Sequence, residues 1–343
     1  MVSGRSEALR SASMPHYVIH IGPHKTGSTY LQVLFQRLSA QLCERGILYP
    51  LDLVGEHAPG HSLLVERLRD AKDTGLARRF QEWNASSYSI ILISSEDISK
   101  LPAGEIERLR SYLGGHRATI IFHCRRWLEL LPSSWQEIVK HGQTTTFPEF
   151  MATNLMNPFA SPIINYATLL DRFEPAFGID NMVLVSYSNI VEQGGDLGEH
   201  FFRNFLGWPD APLIPGLRPN PSLSISDIEV IRTLNAFAWK RSGCPTDRLR
   251  VRYLRAKPTL DLSVPFAAMD NHRGLLRLNE NSRALHAVHE EIFAKYGRRL
   301  VAPRSARYFF VQRQGGIEYV KQDYLWADGV LGALNAIYDQ IRD

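Results

Sequence analysis

Tyr17-Val18-Ile19-His20-Ile21-Gly22-Pro23-His24-Lys25-Thr26-Gly27-Ser28-Thr29-Tyr30-Leu31-Gln32-Val33-Leu34-Phe35 reads as three pieces joined end to end. An apolar run suits a buried strand, a basic loop with two glycines suits a tight turn, and the apolar spacing from Leu31 onward suits the opening of an amphipathic helix. Such a turn presents consecutive main-chain N–H groups, the positive end of a helix dipole and the Lys25 ammonium to the space above Gly27. An anion is expected there, and phosphate fits best.

The order of residues separates this loop from other phosphate loops. A Walker A loop places its lysine after the last glycine, in Gly-x-x-x-x-Gly-Lys-Ser/Thr; here Lys25 precedes Gly27, and Ser28 and Thr29 follow it. A kinase of the same superfold would need the Walker order and Mg²⁺, and that order is absent. Downstream, Ala118-Thr119-Ile120-Ile121-Phe122-His123-Cys124 forms a second apolar run that ends at Arg125 and Arg126 and leads into a helical stretch. Ser133 follows Arg125 by eight residues, and Ser134 follows Arg126 by the same interval. At 3.6 residues per turn either pair falls on nearly one helix face, about 12 Å apart by rise, and a starting loop would shorten that. The spacing leaves the register open by one residue; Arg125 and Ser133 are preferred because Arg125 directly follows the strand. The planar guanidinium suits a phosphate because it engages two oxygens at once.

Lys25-Thr26-Gly27-Ser28-Thr29 after an apolar strand resembles the 5′-phosphosulfate loop of sulfotransferases that use 3′-phosphoadenosine 5′-phosphosulfate (PAPS), and the arginine and serine that follow the second strand resemble the pair that holds the 3′-phosphate in that family. The resemblance covers roughly residues 17 to 210. It implies an α/β fold, a doubly wound and mostly parallel sheet flanked by helices, with a helical C-terminal part. It implies PAPS as co-substrate, held by Lys25, Thr26, Gly27, Ser28, Thr29, Arg125, Ser133 and Tyr187, with no metal. The activity implied is in-line transfer of a sulfuryl group to an acceptor hydroxyl, on a carbohydrate or other small molecule. There are departures: nothing matches the Arg-Lys-Gly segment that closes the 3′-phosphate site in cytosolic members, Arg241-Ser242-Gly243 and Gln314-Gly315-Gly316 being poor substitutes. Many members also place a histidine as base where this chain has Glu96 and Asp97. A non-catalytic protein that kept the nucleotide pocket is the other reading.

In-line displacement at sulfur builds negative charge on the oxygen that bridges to the departing phosphate, which calls for a positioned cation, and Lys25 is the natural one. The acceptor must lose a proton, which calls for a base. Glu96 is the first candidate because it ends the apolar run Ser89-Ile90-Ile91-Leu92-Ile93-Ser94-Ser95, and His61, read as a loop residue, is the second. His57 and His61 lie four apart, but Pro59 and Gly60 between them break the helix that would join them at a metal.

The 343 residues suffice for a substantial core. The formal charge of +4 is mild and the basic residues are interleaved with acids, so no nucleic-acid partner is expected. Cys43, Cys124 and Cys244 have neither disulfide nor metal spacing, and the first two are expected as small buried hydrophobes. No run approaches the roughly 18 apolar residues of a membrane span, and Met1 to Pro15 lacks the apolar core of a signal peptide, so a cytoplasmic protein with a disordered tail at 1–15 is expected.

The remaining pattern alternates. Leu31, Leu34, Phe35, Leu38 and Leu42 recur at helical spacing, with Gly46 as a stop before Ile47 to Pro50. Ile164 to Phe177 reads as helical, Met182 to Tyr187 as a strand, and Phe201 to Trp208 as the close of another helix. Strands that alternate with helices argue for a doubly wound sheet with ligands at its carboxyl edge, where the loop, Glu96, Arg125 and Tyr187 would lie. The core is expected over 16–210, with 211–343 a helical part that completes the same domain. There Asn220-Pro221-Ser222-Leu223-Ser224 precedes a helix with Ser224 at its cap. Arg248, Arg250, Arg252, Arg255 and Lys257 form a solvated face or a lid over an anion.

Overall fold

The computed structural model describes residues 14–56, 59–214, 216–217, 223–243, 247–278, 282–301, 309 and 316–342. The expectations for residues 1–13, His57, Asn220 to Ser222, Cys244, Gln314 and Gly315 lie outside them. The chain folds as two compact units.

The first unit comprises Met1–Cys124, Leu169–Pro219 and Arg299–Ala302. Its centre is a six-stranded sheet in the order β2-β3-β1-β4-β5-β7, where β1 is His16–His20, β2 Ile47–Leu48, β3 Ile90–Ser94, β4 Ala118–Cys124, β5 Met182–Ser186 and β7 Leu300–Val301. Every pairing is parallel, with Tyr17 opposite both Ile91 and Ala118. The runs that form β1, β3 and β4 are almost wholly buried, because helices cover both faces of a parallel sheet and leave no face for alternating polar residues. The doubly wound α/β fold is therefore the observed one. After β1 the chain moves to strands on one side of the sheet, and after β4 to strands on the other. The carboxyl ends of these two neighbours form the switch point at which such sheets bind ligands.

Helix α1, Ser28–Arg37, lays Leu31, Leu34 and Phe35 on this sheet beside Phe201 and Phe202. The apolar periodicity continues to Leu42, but the helix does not: Leu38, at φ −97° and ψ 9°, separates α1 from a short helix Ser39–Glu44. Gly46, at φ 73°, stops that second helix as its lack of a Cβ allows. The single helix expected over Ile164 to Phe177 is two short ones, Ala167–Leu170 and Glu174–Phe177. Pro175 has no N–H to continue a helix but suits the first turn of a new one. Tyr187, expected to end a strand, instead begins the helix Tyr187–Glu192, capped when the Asn189 N–H donates to Ser186 Oγ. Cys124 is buried as expected, but Cys43 is exposed, its sulfur 3.4 Å from the Tyr88 hydroxyl.

The second unit comprises Arg125–Thr168, Asn220–Arg298 and Pro303–Asp343. It is mainly helical, with one antiparallel pair, β6 (Arg273–Leu276) and β8 (Ile317–Val320). Ser224 caps the helix Ile225–Ser242 by accepting from the Asp227 N–H at 3.0 Å. That helix carries a buried ion pair, Arg232 to Glu229 at 2.6 Å, which Gln322 extends by donating to Glu229 at 3.0 Å. Asn235 donates to the carbonyls of Val139 and Gln143, tying the helix to Trp127–Lys140 and the turn after it. Among the described residues no helix is long and apolar enough to cross a membrane.

Candidate active site

The loop after β1 is held from within. Thr26 is fully buried, and its hydroxyl donates to the Pro23 carbonyl at 2.6 Å; the Ser28 hydroxyl turns to the same oxygen at 3.3 Å. The resemblance places Thr26 and Ser28 among the residues that hold PAPS; in the structure their hydroxyls close the turn on itself. The closure leaves Lys25 at φ 67°, in the left-handed region, the one such residue besides glycine among those described. A lysine there costs on the order of 1–3 kcal/mol, which the surrounding contacts must offset. Gly27, also left-handed at φ 83°, precedes α1, and no side chain caps that helix. The first intrahelical bond of α1 runs from the Leu31 N–H to the Gly27 carbonyl, so the N–H groups of Ser28, Thr29 and Tyr30 precede the helical ladder at the positive end of the dipole.

Two side chains stand behind Gly27. A Cβ there would meet Leu197 Cδ2 at 2.5 Å and the Tyr187 ring at 3.2 Å. Tyr187 is thus brought to the loop, against its glycine. Tyr30, on α1, donates its hydroxyl to Asp196 at 2.7 Å, and Asp196 caps the helix Leu197–Phe205 by accepting from the N–H groups of Gly198 and Glu199. The two helices that flank the loop are therefore joined by one carboxylate.

Glu96 opens a 3-10 turn directly after β3 and packs beneath Gly22 so closely that a Cβ on that glycine would lie 2.9 Å from the Glu96 Cα. Its Oε2 accepts from Gln32 Nε2 at 2.7 Å, and its Oε1 lies 3.6 Å from His24 Nδ1. The other edge of the His24 ring lies 3.4 Å from Asp97 Oδ1. Hydrogen bonding from His24, assisted by Lys100, holds the Asp97 carboxyl well below the usual range. Sequence reading did not single out His24 and Gln32, although both lie in the stretch it began from. The pairing of a loop histidine with acids more than seventy residues away has no local signature.

His61 is not an exposed loop residue. It is fully buried, its Nδ1 accepts from the Ser94 N–H at 2.9 Å, and its Nε2 bonds to the Pro50 carbonyl at 3.0 Å. An acceptor Nδ1 requires the hydrogen on Nε2, so both nitrogens are committed to the backbone. Burial pulls its pKa down to about 4. This geometry makes His61 a strut between β3 and the segment after β2. A proton acceptor needs a nitrogen to spare, and His61 has none.

Beneath the loop lies a buried chain that sequence reading also missed. His20 Nδ1 is 2.8 Å from Ser94 Oγ, and its Nε2 is 3.0 Å from His123 Nδ1. The His123 main-chain N–H donates to the Gly22 carbonyl at 2.8 Å. Burial lowers the His20 pKa to about 3 and holds His123 well below its usual value, so both rings are neutral.

Within the second unit the structure brings Arg125 to Ser133: its Nη1 donates to the Ser133 hydroxyl at 3.4 Å, and its Nε to Glu129 Oε2 at 3.3 Å. The Tyr166 hydroxyl fixes the Arg125 backbone by donating to its carbonyl at 2.9 Å. Arg126 is buried at the cap of the helix Trp127–Lys140, 4.0 Å from Glu129. Of the two registers, Arg125 with Ser133 is the pair in contact. The basic stretch further on is partly structural, since Lys257 pairs with Asp227 at 2.8 Å and Arg252 donates to the Arg342 carbonyl.

No family profile and no curated protein matches this chain. Among solved structures the chain is similar to a sulfotransferase from Alicyclobacillus acidocaldarius, with 17% identity and a TM-score of 0.39 over 74% of this chain and 98% of that one.

Proposed function

We propose that this chain transfers a sulfuryl group from PAPS to an acceptor hydroxyl on a carbohydrate or other small molecule. The observation that carries the reading is the loop after β1: Lys25 in a strained left-handed conformation beside the uncapped start of α1, at the sheet's switch point. Backbone strain of this kind persists where the surrounding structure over-determines it, and it collects at ligand clamps. The order Lys25-Thr26-Gly27-Ser28-Thr29 adds the likeness to a 5′-phosphosulfate loop.

In this reading the N–H groups around Gly27, Ser28 and Thr29 cradle the 5′-phosphate, and Thr26 and Ser28 contribute by shaping the turn rather than through their hydroxyls. Tyr187 supports the loop from behind. Arg125 and Ser133 hold the 3′-phosphate, with Glu129 keeping the guanidinium in place until it arrives. The donor supplies an activated S–O bond. As the acceptor oxygen attacks sulfur, the bond from sulfur to the phosphate oxygen breaks, and Lys25 neutralises the charge that grows on that oxygen. The acceptor proton passes to Glu96, one of whose oxygens Gln32 steadies. No metal enters these steps.

Isothermal titration tests the site first. Adenosine 3′,5′-bisphosphate is expected to bind more tightly than adenosine 5′-phosphate, and labelled PAPS is then expected to label a hydroxyl acceptor from a carbohydrate screen. Equal affinity for the two nucleotides would defeat the reading. Tight binding without transfer to any acceptor would leave the non-catalytic pocket in its place.

A further inference from the structure

The helix Arg283–Tyr296, in the second unit, carries two histidines and a glutamate on one face: His286, His289 and Glu290. A divalent transition metal asks for just such donors, imidazole nitrogen and carboxylate oxygen. Positions separated by three and four residues stand one turn apart, so all three side chains can reach a common point. His286 Nδ1 lies 3.6 Å and His289 Nδ1 3.4 Å from the same oxygen, Glu290 Oε1. The three ligand atoms all fall within 4.8 Å of one another. With bonds of 2.0–2.1 Å, the edge of a tetrahedral zinc site is roughly 3.3 Å. Two of the edges are thus already near the required length, and rotation of exposed His286 can shorten the third.

The surroundings favour a metal over a passing ion pair. His289 is 1% exposed, while the side chains of His286 and Glu290 are 54% and 61% exposed. One ligand is therefore fixed in the core and two reach it from solvent. The His289 ring stacks on Phe293 at 4.4 Å and meets Phe309 edge-on at 5.5 Å. A ring so clamped has little rotamer entropy left to lose when it takes up a ligand.

We propose that His286, His289 and Glu290 form a Zn²⁺ site with three protein ligands and a water in the fourth position. Its ligands belong wholly to the second unit and take no part in the proposed sulfuryl transfer. The spacing was open to reading in the sequence, but only the structure turns the two imidazoles toward one carboxylate oxygen.

The test is titration of the full-length protein with Zn²⁺, followed calorimetrically in a non-chelating buffer. One equivalent is expected to bind and to be removed by EDTA. His286→Ala and Glu290→Gln, both at exposed positions that should leave folding intact, are each expected to weaken that binding about tenfold or more. His141→Ala is the control, because His141 and Glu137 form a histidine–glutamate pair at four-residue spacing that belongs to no three-residue ligand group among the described residues; this variant is expected to bind as wild type. Absence of stoichiometric binding, or binding that survives both His286→Ala and Glu290→Gln unchanged, would overturn the proposal.

Discussion

Lys25 and Glu96 differ in what their removal should disturb. The Lys25 ammonium acts on charge that grows as the reaction proceeds, so Lys25→Ala should lower turnover about 10²–10³-fold while changing affinity for adenosine 3′,5′-bisphosphate far less. Near-normal turnover would reduce the lysine to a structural part of the loop. Glu96→Gln keeps an oxygen for the Gln32 donor, so a loss of turnover with unchanged donor affinity would report lost proton acceptance alone. His61→Ala should behave in another way: it strips partners from the Ser94 N–H and the Pro50 carbonyl, at about 1–3 kcal/mol for each group left buried. Denaturant titration should show the stability loss, and turnover per folded molecule should be retained. For Arg125→Ala and Ser133→Ala the quantity to measure is the affinity ratio of adenosine 3′,5′-bisphosphate to adenosine 5′-phosphate. It should fall toward one; an unchanged ratio would remove both residues from the site. The placement of the loop residues after one strand and of Arg125 after another was legible in the sequence. Lys25, Gly27 and Arg125 each follow an apolar run, and a local pattern marks them. His24, Gln32 and the buried role of His61 were not, because each is defined by partners distant along the chain.

At the scale of elements, the loop depends on two glycines that no other residue replaces without movement. Gly27→Ala combines an unfavourable φ of 83° with a clash against Leu197 and Tyr187, and so presses on the start of both flanking helices. Gly22→Ala, at φ 86°, meets the Glu96 backbone at 2.9 Å, which cannot yield as a side-chain tip can. Both variants should unfold at lower temperature, by an amount that reflects more than the roughly 1–2 kcal/mol of left-handed strain alone. Gly22→Ala should also displace Glu96 and lose turnover at saturating donor. If differential scanning calorimetry found both variants as stable as wild type, the close packing of the loop on its neighbours would be wrong. Element types were readable because periodicity of two or 3.6 residues is a local property. The breaks at Leu38 and between Leu170 and Glu174 were harder: Leu38 leaves helical dihedrals inside an unbroken apolar pattern, and the sequence marks the second only through Pro175.

At the scale of the molecule, the first unit buries the neutral rings of His20, His61 and His123. His20, His61 and His123 titrate lower when folded than the 6.5 expected in the unfolded chain. Below pH 6.5 the unfolded chain therefore takes up protons that the folded chain refuses. Stability from this source is complete above that pH and falls as the pH drops toward 4, at up to about 1.4 kcal/mol per pH unit for each histidine. Urea denaturation should show a midpoint that is flat from pH 8 to 7 and declines steadily between pH 6.5 and 5, before most carboxylates protonate. A midpoint constant down to pH 5 would mean that these rings gain protons while folded. The strand order belongs to this scale too, since it puts His20 beside His123 across 103 residues of chain.

The chain's own sequence determined the strand, loop and helix from Tyr17 to Phe35, the apolar strands that flank it, and the cap at Ser224. Each rests on interactions among residues a few positions apart: steric limits on φ, side-chain periodicity, and short reach from a hydroxyl to an N–H. Tertiary structure alone decided that β1 lies between β3 and β4, that Glu96 receives Gln32 from 64 residues away, that the pair in contact is Arg125 with Ser133 and not Arg126 with Ser134, and that His61 is a buried strut. Those outcomes depend on which surfaces are buried together once the chain closes on itself, and the free energy of that burial belongs to no single segment.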